Sequence, residues 1–265
     1  MNDTVLLSRE GAIATLTLNR PSAVNALDAP MVDALVARTA EIAADDAIRV
    51  VILKGAGRHF MAGGDIRVFA HSLADDASKR RTSFQRFAEC VHAGVETLAR
   101  MPQPVIARLQ GAVAGFGLSL ANGCDLAYAS DDTYFASAYL TLGVSPDGGG
   151  TYWLPRIVGS RRAAEILMLG DRFDAKHAHA IGLVNRVVVA DDLDRVVDEA
   201  AQRLAAAPTR ALRNLKRLLR ESTRSSLSEQ LSAEATSFGE CAGSVDFVEG
   251  VQAFLAKRAP DFHRG

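Results

Sequence analysis

Two glycine-rich segments, each preceded by a short apolar run, could direct main-chain N–H groups at a ligand. Residues 111–125 read GAVAGFGLSLANGCD and follow an apolar run at 104–109, which predicts a strand, a tight glycine turn and the start of a helix. The first N–H groups of such a helix lack helical partners, and glycines let a ligand approach them closely. Residues 55–65 read GAGRHFMAGGD and follow a second apolar run at 50–53. The two turns could each present one N–H to the same oxygen atom.

Neither segment has the spacing of a nucleotide-binding loop. The pattern GxGxxG followed by an acidic residue about 20 positions later is missing, and so is GxxxxGK[ST]. These spacings argue against a dinucleotide site and against a phosphate-cradling loop. Taken alone, residues 111–125 are equally consistent with a helix that packs tightly against a strand.

The composition is that of an ordinary globular protein without an excess of either charge. The chain has 265 residues, of which 48% are hydrophobic and 23% are charged, with a formal net charge of −1. This balance gives no reason to expect nucleic acid or an acidic membrane surface as a partner. The sequence shows no apolar run of membrane-spanning length and no basic-plus-apolar leader, so we expect a cytoplasmic protein.

The cysteines predict neither a zinc site nor a disulfide framework. Cys90, Cys124 and Cys241 are widely separated, and the sequence has no CxxC pair or Cys/His cluster. We therefore expect no bound metal, and buried thiols in a reducing compartment.

The order of apolar runs and helical patterns predicts an α/β fold. Asp28 could cap a helix over residues 29–44, and helical periodicity extends over residues 80–100. Strands alternate with helices through residues 1–192, and from there the pattern is entirely helical. We therefore divide the chain into a core at 1–192, which would hold the site, and a helical C-terminal oligomerisation region at 193–265.

Six motifs, spread over most of the chain, occur together in a fixed order. They are LNRPSAVNAL at 18–27, GAGRHFMAGGDI at 55–66, PVIARLQGAVAGFG at 104–117, LGVSPDGGGTYWLPRIVG at 142–159, AHAIGLVNRVV at 178–188 and FLAKRAPDF at 254–262. In this order they resemble the crotonase superfamily, also called the enoyl-CoA hydratase/isomerase family. The resemblance implies a spiral of ββα units, which no internal repeat in the sequence would have revealed.

The resemblance implies an enzyme that processes an acyl thioester of coenzyme A without a tightly bound cofactor. In the family, the C-terminal helices pack across subunits in a homotrimer, often as a dimer of trimers that makes a hexamer. Two main-chain N–H groups hold the thioester oxygen, and by motif position they belong here to Ala62 and Phe116. Donors placed where negative charge develops stabilise the transition state more than the ground state.

The two glutamates with which hydratases of this family add water are missing. By motif position, Ser119 and Tyr139 stand where those glutamates would be. Neither is a carboxylic acid, so the resemblance implies that simple hydration of a 2-enoyl thioester is not the reaction. Met61, Phe116, Tyr139 and Trp153 are candidates for lining the acyl pocket, although each residue of this type is more often part of the plain core.

Asp147, in SPDGGG, is the carboxylate that is left at this site. Family members that move double bonds often carry an acidic residue at this position, which takes a proton from one carbon and returns it two carbons away. The resemblance therefore implies an enoyl-CoA isomerase with Asp147 as its single acid/base. A plain turn aspartate or helix cap is the alternative that the residue type leaves open.

Two further functions stay open. The placement of His92, Tyr139 and Asp147 resembles that of a histidine, a tryptophan and a nucleophilic aspartate in 4-chlorobenzoyl-CoA dehalogenase. One alternative is therefore a hydrolase or dehalogenase with Asp147 as nucleophile and His92 as base, although a histidine on a helix is more often structural or solvated. The other is a family member that binds acyl-CoA or a protein partner without catalysis.

The resemblance also implies contacts with coenzyme A. Main-chain atoms of Ala23 and Val24 are expected along the pantetheine, and Asp65 and Ile66 near the adenine. Lys257 would meet the ribose phosphate from a neighbouring subunit, or else be a solvated lysine. The full set is Ala23, Val24, Ala62, Gly63, Gly64, Asp65, Ile66 and Lys257.

Overall fold

The structure, a computed structural model, describes residues 4–262 and shows an α/β fold with two sheets. Within these residues the strands are β1 (Val5–Glu10), β2 (Ile13–Leu18), β3 (Val50–Gly55), β4 (Val105–Leu109), β5 (Ala112–Ala114), β6 (Leu126–Ser130), β7 (Tyr134–Ala136), β8 (Phe173–Asp174) and β9 (Arg186–Val188). The long sheet has the order β1-β2-β3-β4-β6-β9, and the short sheet has the order β5-β7-β8. In the long sheet β1 and β2 form an antiparallel hairpin, and the other pairs are parallel.

Several of the helices begin at side-chain caps that the sequence supplies. They are α1 (Ala29–Ala44), α2 (Ile66–His71), α3 (Ala77–Arg100), α4 (Phe116–Asn122), α5 (Gly150–Val158), α6 (Ser160–Leu169), α7 (Ala175–Ala180), α8 (Leu193–Ala205), α9 (Thr209–Ser222), α10 (Leu227–Ala242) and α11 (Val245–Leu255). Asp28 accepts the Met31 N–H at 3.0 Å and starts α1 as predicted. Helix α3 starts before the predicted residue 80, because Asp76 accepts the Lys79 N–H at 2.9 Å. Within residues 4–262, every helix is too short or too polar to cross a membrane.

Strand β3 shows why the long sheet forms the centre of the fold. Its first four residues, VVIL, are all buried, as expected of a parallel strand that is covered on both faces. Leu53 belongs to the same core cluster as Leu35 of α1. Ile52 points to the other face and belongs to a second cluster with Val197 of α8.

The short sheet brings the two glycine segments together. Strand β4 of the long sheet leads directly into β5 and then into α4, and β6 leads into β7 in the same way. This succession is the ββα unit that the family resemblance implies. Met61, beyond the end of β3, pairs with Val113 of β5 through an isolated bridge. Residues 55–65 therefore lie alongside residues 111–125.

The helical region that the sequence predicts from residue 193 has two parts. Helix α8 packs on the long sheet, where Leu193, Val197 and Ala201 are buried, so it belongs to the core. Helices α9 to α11 carry large apolar side chains that are exposed in the single chain: Leu227, Phe238, Val245, Phe254 and Leu255. The division of the chain at residue 192 stays a prediction, and in this structure α8 packs with the sheet residues that precede it. Residues 263–265 of the predicted region lie outside the described residues.

Candidate active site

The two glycine segments are joined by main-chain hydrogen bonds. The Met61 N–H donates to the Ala112 carbonyl at 3.0 Å, and the Ala114 N–H donates to the Met61 carbonyl at 2.9 Å. A Cβ on Gly117 would lie 2.5 Å from the Met61 carbonyl oxygen, so any side chain there would push the segments apart. Glycine at this position lets α4 begin directly against the first segment.

Asn25 ties a third segment, LNRPSAVNAL, to the first glycine segment. Its side chain is fully buried, and its NH₂ group lies 2.9, 2.8 and 3.1 Å from the carbonyl oxygens of Ala56, His59 and Phe60. Its Oδ1 accepts the Arg20 N–H at 2.9 Å. The backbone of Asn25 has a φ of 54°, a left-handed conformation that asparagine adopts more readily than most residues.

Ala62 does not offer a free N–H. Its N–H donates to the Val24 carbonyl at 3.1 Å and so links the first glycine segment to the loop before Asn25. A donor that is already paired cannot hold a thioester oxygen without first breaking that bond. The prediction that Ala62 supplies one of the two donors is therefore wrong for this structure.

Gly64, two residues after Ala62, has an N–H without a partner among the described residues, as does Gly63. Leu27 forms hydrogen bonds with the residues before and after Gly64. The Leu27 N–H donates to the Gly63 carbonyl at 2.8 Å, and the Asp65 N–H donates to the Leu27 carbonyl at 2.9 Å. Main-chain groups alternate in direction along an extended segment, so the Gly64 N–H points away from Leu27. No residue between 4 and 262 accepts a hydrogen bond from it. The Gly64 N–H is thus available at the cavity wall, whereas the motif position predicts Ala62 as the donor.

Phe116 provides the second free donor. It is the first residue of α4, and its N–H is unpaired within the described part of the chain, as is usual in the first turn of a helix. The first segment lies close by, since a Cβ on Gly63 would be 3.4 Å from the Phe116 nitrogen. Gly64 and Phe116 both line one cavity of about 640 Å³. Two unpaired donors, one from each glycine segment, therefore belong to the wall of the same cavity.

The rest of this cavity wall is largely apolar. Phe69 of α2 and Phe84 of α3 pack edge to face with their ring centroids 5.0 Å apart, and both line the cavity. Asp147 is the only carboxylate in the wall among the residues that the structure describes. An apolar cavity with two N–H donors and one carboxylate suits an acyl chain whose carbonyl and neighbouring carbons react.

Asp147 is bound to the two residues at the positions of the hydratase glutamates. The Tyr139 hydroxyl donates to Oδ1 of Asp147 at 2.7 Å, and the Ser119 Oγ lies 3.1 Å from the same hydroxyl. Burial raises the pKa of Tyr139 far above its usual value, and the nearby charge of Asp147 raises it further. Tyr139 is therefore a protonated phenol and a hydrogen-bond donor.

The turn after Asp147 depends on its glycines. Gly148 and Gly149 have φ values of 60° and 83°, where a side chain would be strained. A Cβ on Gly150 would lie 2.6 Å from the Ser119 Oγ. The three glycines thus let the turn approach α4 closely and place the Asp147 side chain in the cavity wall.

His92 contacts this turn but does not line the Asp147 cavity. Its Nε2 accepts the Gly148 N–H at 3.1 Å, and the residue lines a separate cavity of about 340 Å³ together with Trp153. An accepting ring nitrogen carries no proton, so this bond requires the neutral tautomer with the proton on Nδ1. His92 therefore supports the main chain beside Asp147, and among the described residues its ring makes no hydrogen bond to the carboxylate.

Nearly the whole chain matches one known protein family. Residues 8–265 match the family model described as Enoyl-CoA hydratase/isomerase. The chain belongs to this family. It is 36% identical over 262 residues to the 1,2-epoxyphenylacetyl-CoA isomerase of Escherichia coli (strain K12), and the matched region covers 99% of both chains. It is 31% identical over 259 residues to the trans-2-decenoyl-acyl-carrier-protein isomerase of Streptococcus mutans, which covers 97% of both.

A solved structure shows the same fold. The crystal structure of an enoyl-CoA hydratase from Polaromonas sp. JS666 is similar with a TM-score of 0.90 and 34% identity, covering 97% of this chain and 98% of that one. The protein is thus an acyl-CoA-processing enzyme of the enoyl-CoA hydratase/isomerase family with the crotonase fold. Its relatives carry both hydratase and isomerase names, so the reaction has to be argued from the site.

Asp65, expected near the adenine in a member of this family, has its carboxylate engaged within the chain. The residue is 4% exposed, and its oxygens lie 2.8 Å from the Arg67 guanidinium and 2.9 Å from that of Arg20. The hydrogen bond from Arg67, and then that from Arg20, hold the pKa of Asp65 well below its usual range. A contact of Asp65 with coenzyme A stays a prediction, and so does that of the exposed Ile66.

The other coenzyme A contacts implied by family membership also stay predictions. Gly63 and Gly64 line the cavity, whereas Ala23 and Val24 lie half-buried in the preceding loop. Lys257 follows α11, is exposed and has a φ of 52°.

The sequence predicts different roles for two residues of this site, Gly64 and Ser119. Gly64 was grouped with the coenzyme A contacts, and its pairing with Leu27, on which its free N–H depends, is not visible in a local pattern. Ser119 was read only as a missing acid. The small size of Ser119, three residues after Phe116, was the available signal that something packs closely against α4.

Proposed function

We propose that this protein moves a double bond in an enoyl-CoA thioester, with Asp147 as the single acid/base. The Asp147 carboxylate takes a proton from the carbon beside the thioester carbonyl, and the electrons pass to the thioester oxygen. The resulting enolate collapses as Asp147 returns the proton two carbons further along. The protein, the coenzyme and the number of protons are unchanged at the end.

The N–H groups of Gly64 and Phe116 would hold the oxygen that becomes negative. Both are unpaired within the described residues and both belong to the cavity wall. One such donor is typically worth about 3–4 kcal/mol of transition-state stabilisation. The apolar wall keeps water away from the enolate.

The observation that carries the proposal is the isolation of Asp147 as the single carboxylate in the described cavity wall. A hydratase of this family needs two acids, and the positions for them hold Ser119 and Tyr139. The names of two relatives, an epoxyphenylacetyl-CoA isomerase and a decenoyl-acyl-carrier-protein isomerase, also support an isomerisation. A member that only binds acyl-CoA would not need a carboxylate in this cavity.

The nucleophilic alternative is less well supported by the geometry. It needs His92 to activate water beside Asp147, but His92 accepts a main-chain N–H and lines a different cavity. The geometry therefore favours acid/base chemistry over hydrolysis or dehalogenation.

The test is isomerisation of a 3-enoyl-CoA in heavy water. The wild-type protein should form the conjugated 2-enoyl-CoA, partly deuterated, and Asp147→Asn should lose about 10²–10⁴-fold in rate because it keeps the shape without the base. An Asp147→Asn variant as active as the wild type would refute the assignment.

Isotopic oxygen distinguishes the acid/base from the nucleophile. A nucleophilic Asp147 would pass through an ester and acquire ¹⁸O from labelled water, whereas an acid/base would not. His92→Ala should lose one hydrogen bond to Gly148, which is worth about 1 kcal/mol and less than tenfold in rate. Label at Asp147 together with an inactive His92→Ala variant would establish the nucleophilic reaction instead.

We also propose that α9 to α11 pack between subunits of a homotrimer or hexamer. The support is the set of exposed apolar side chains on these helices: Leu227, Phe238, Val245, Phe254 and Leu255. A monomer rarely leaves so much apolar surface in water. Light scattering should give three or six times the mass of the chain, and a monomer at micromolar concentration would contradict this.

A further inference from the structure

We propose that Ser119 and Tyr139 form a one-way hydrogen-bond chain that holds Oδ1 of Asp147, so that Oδ2 alone takes and returns the proton. The inference rests on the proposed isomerase function and makes Tyr139 a positioning residue, with Ser119 behind it. It gives a function to the two side chains that stand where the hydratase glutamates would be.

The direction of the chain follows from its protons. The Tyr139 hydroxyl has one proton and donates it to Oδ1 of Asp147 at 2.7 Å. The main-chain oxygen of Asp147 lies 3.5 Å from the same hydroxyl and is too distant to compete. The 3.1 Å contact with Ser119 must then be donated by the serine. Because burial raises the pKa of Tyr139, the phenol stays protonated and keeps this direction.

The fold holds both hydroxyl-bearing residues of the hydrogen-bond chain in place. Ser119 is 2% exposed, and the turn packs so closely on it that a Cβ on Gly150 would reach its Oγ. Ala138, immediately before Tyr139, has a φ of 59°, which is uncommon for a residue other than glycine. Strained residues of this kind persist where the surrounding structure over-determines them, often at functional sites. Tyr139 therefore has little freedom to leave Asp147.

The consequence is that only one oxygen of the carboxylate is available to the substrate. Within residues 4–262 no side chain or main-chain group donates to Oδ2 of Asp147. The other charged residues in the described cavity wall are Arg80 and Arg81, and His92 bonds to the main chain at Gly148. When one free oxygen takes the proton and returns it, a fraction of the transferred protons reaches the product without exchanging with water. Without the hydrogen bond from Tyr139 the carboxylate would rotate, and more of the abstracted protons would exchange with water.

The experiment uses a 3-enoyl-CoA that carries deuterium on the carbon beside the thioester carbonyl, in ordinary water. The wild-type enzyme should deliver a measurable fraction of the label two carbons further along. Tyr139→Phe should lower kcat by up to about a hundredfold, since a misplaced catalytic group can cost that much. It should leave KM nearly unchanged and abolish the transferred label. Ser119→Ala leaves the tyrosine in place and should give intermediate values of both.

Two controls separate positioning from a general loss of structure. Tyr152→Phe removes a hydroxyl that has no hydrogen-bond partner within the described residues and lies in the wall of the other cavity, so kcat and label transfer should stay at wild-type values. Adding Tyr139→Phe to Asp147→Asn should cause no further loss, because the residue acts only through the carboxylate.

The outcomes distinguish this inference from the proposed function. If the wild type isomerises and Asp147→Asn does not, but Tyr139→Phe retains kcat and label transfer, the inference fails and the proposed function stands. A wild-type enzyme that transfers no label would also overturn the inference. If the wild type does not isomerise any 3-enoyl-CoA, both fail together. Thermal unfolding of each variant shows whether it is folded. If Tyr139→Phe does not fold, Ser119→Ala still tests the inference.

Discussion

A Cβ on Gly148 would lie 2.7 Å from a ring carbon of Phe116. The turn that carries Asp147 therefore rests directly on the side chain of the residue whose N–H is free in the cavity wall. This contact couples the position of the proposed base to the position of the proposed oxygen-binding donor.

Gly148→Ala should displace the turn and with it the Asp147 carboxylate. The new methyl group would meet the Phe116 ring and adopt a left-handed φ, and such overpacking costs about 1–3 kcal/mol of unfolding free energy. We expect kcat to fall at least about tenfold, since small displacements of a catalytic group are costly. Gly143→Ala is the matched control, because Gly143 has a φ of 69° and no heavy atom within 4 Å of the added Cβ. Equal loss of activity in both variants would show that backbone strain, and not the contact with Phe116, is responsible.

Phe116→Pro and Phe116→Ala should differ in kcat although both lose the ring. Proline is tolerated at the first position of a helix but has no N–H. Its kcat should fall about 10²–10³-fold below that of the alanine variant, as expected for one oxyanion donor. The alanine variant loses the ring but keeps the donor, so the difference between the two variants reports on the N–H alone. Equal kcat values for the two variants, measured with several 3-enoyl thioesters, would remove the Phe116 N–H from the mechanism.

Hydration of crotonyl-CoA should be negligible. The two positions that supply acids in hydratases hold Ser119 and Tyr139, and Tyr139 remains a protonated phenol because burial raises its pKa. Neither side chain can activate water as a carboxylate would. The measurement is the loss of absorbance of the conjugated thioester. Rapid loss with the wild type, abolished by Asp147→Asn, would show that one carboxylate is enough for hydration.

Asp65→Asn should destabilise the protein, and most strongly near neutral pH. The pKa of Asp65 is lowered in the folded protein from its ordinary value of 3.8, first by the hydrogen bond from Arg67 and then by that from Arg20. A lowered pKa contributes stability above the unfolded pKa and loses it as the pH falls below that value. We expect a loss of roughly 2–3 kcal/mol at pH 7 in urea unfolding, the range of charge-assisted hydrogen bonds.

The difference between wild type and Asp65→Asn should therefore shrink below about pH 4, where the unfolded aspartate binds a proton. Asp46→Asn serves as a control, since Asp46 pairs with Arg213 at 3.0 Å but its side chain is 91% exposed. Exposed pairs of this kind contribute little. A difference for Asp65→Asn that does not depend on pH would contradict the ion-pair explanation.

The sequence by itself determined much of the local structure and the chemistry on offer. The apolar run of β3 predicted a strand covered on both faces, and Asp28 predicted the start of α1. These features depend on neighbouring residues along the chain, so a local pattern is enough to predict them. The motif order likewise pointed to the family, and Asp147 stood out as the carboxylate in its motif.

Only the tertiary structure decided which groups are free to act. Whether Ala62 or Gly64 has an unpaired N–H depends on bonds to Val24 and Leu27, which lie far away along the chain. The direction of His92 depends in the same way on a bond to Gly148. Hydrogen bonds between distant segments follow from the register in which those segments pack, and no spacing within one motif encodes that register. The sequence therefore indicates which segments form the candidate site, and the packing of those segments decides which of their main-chain groups are unpaired.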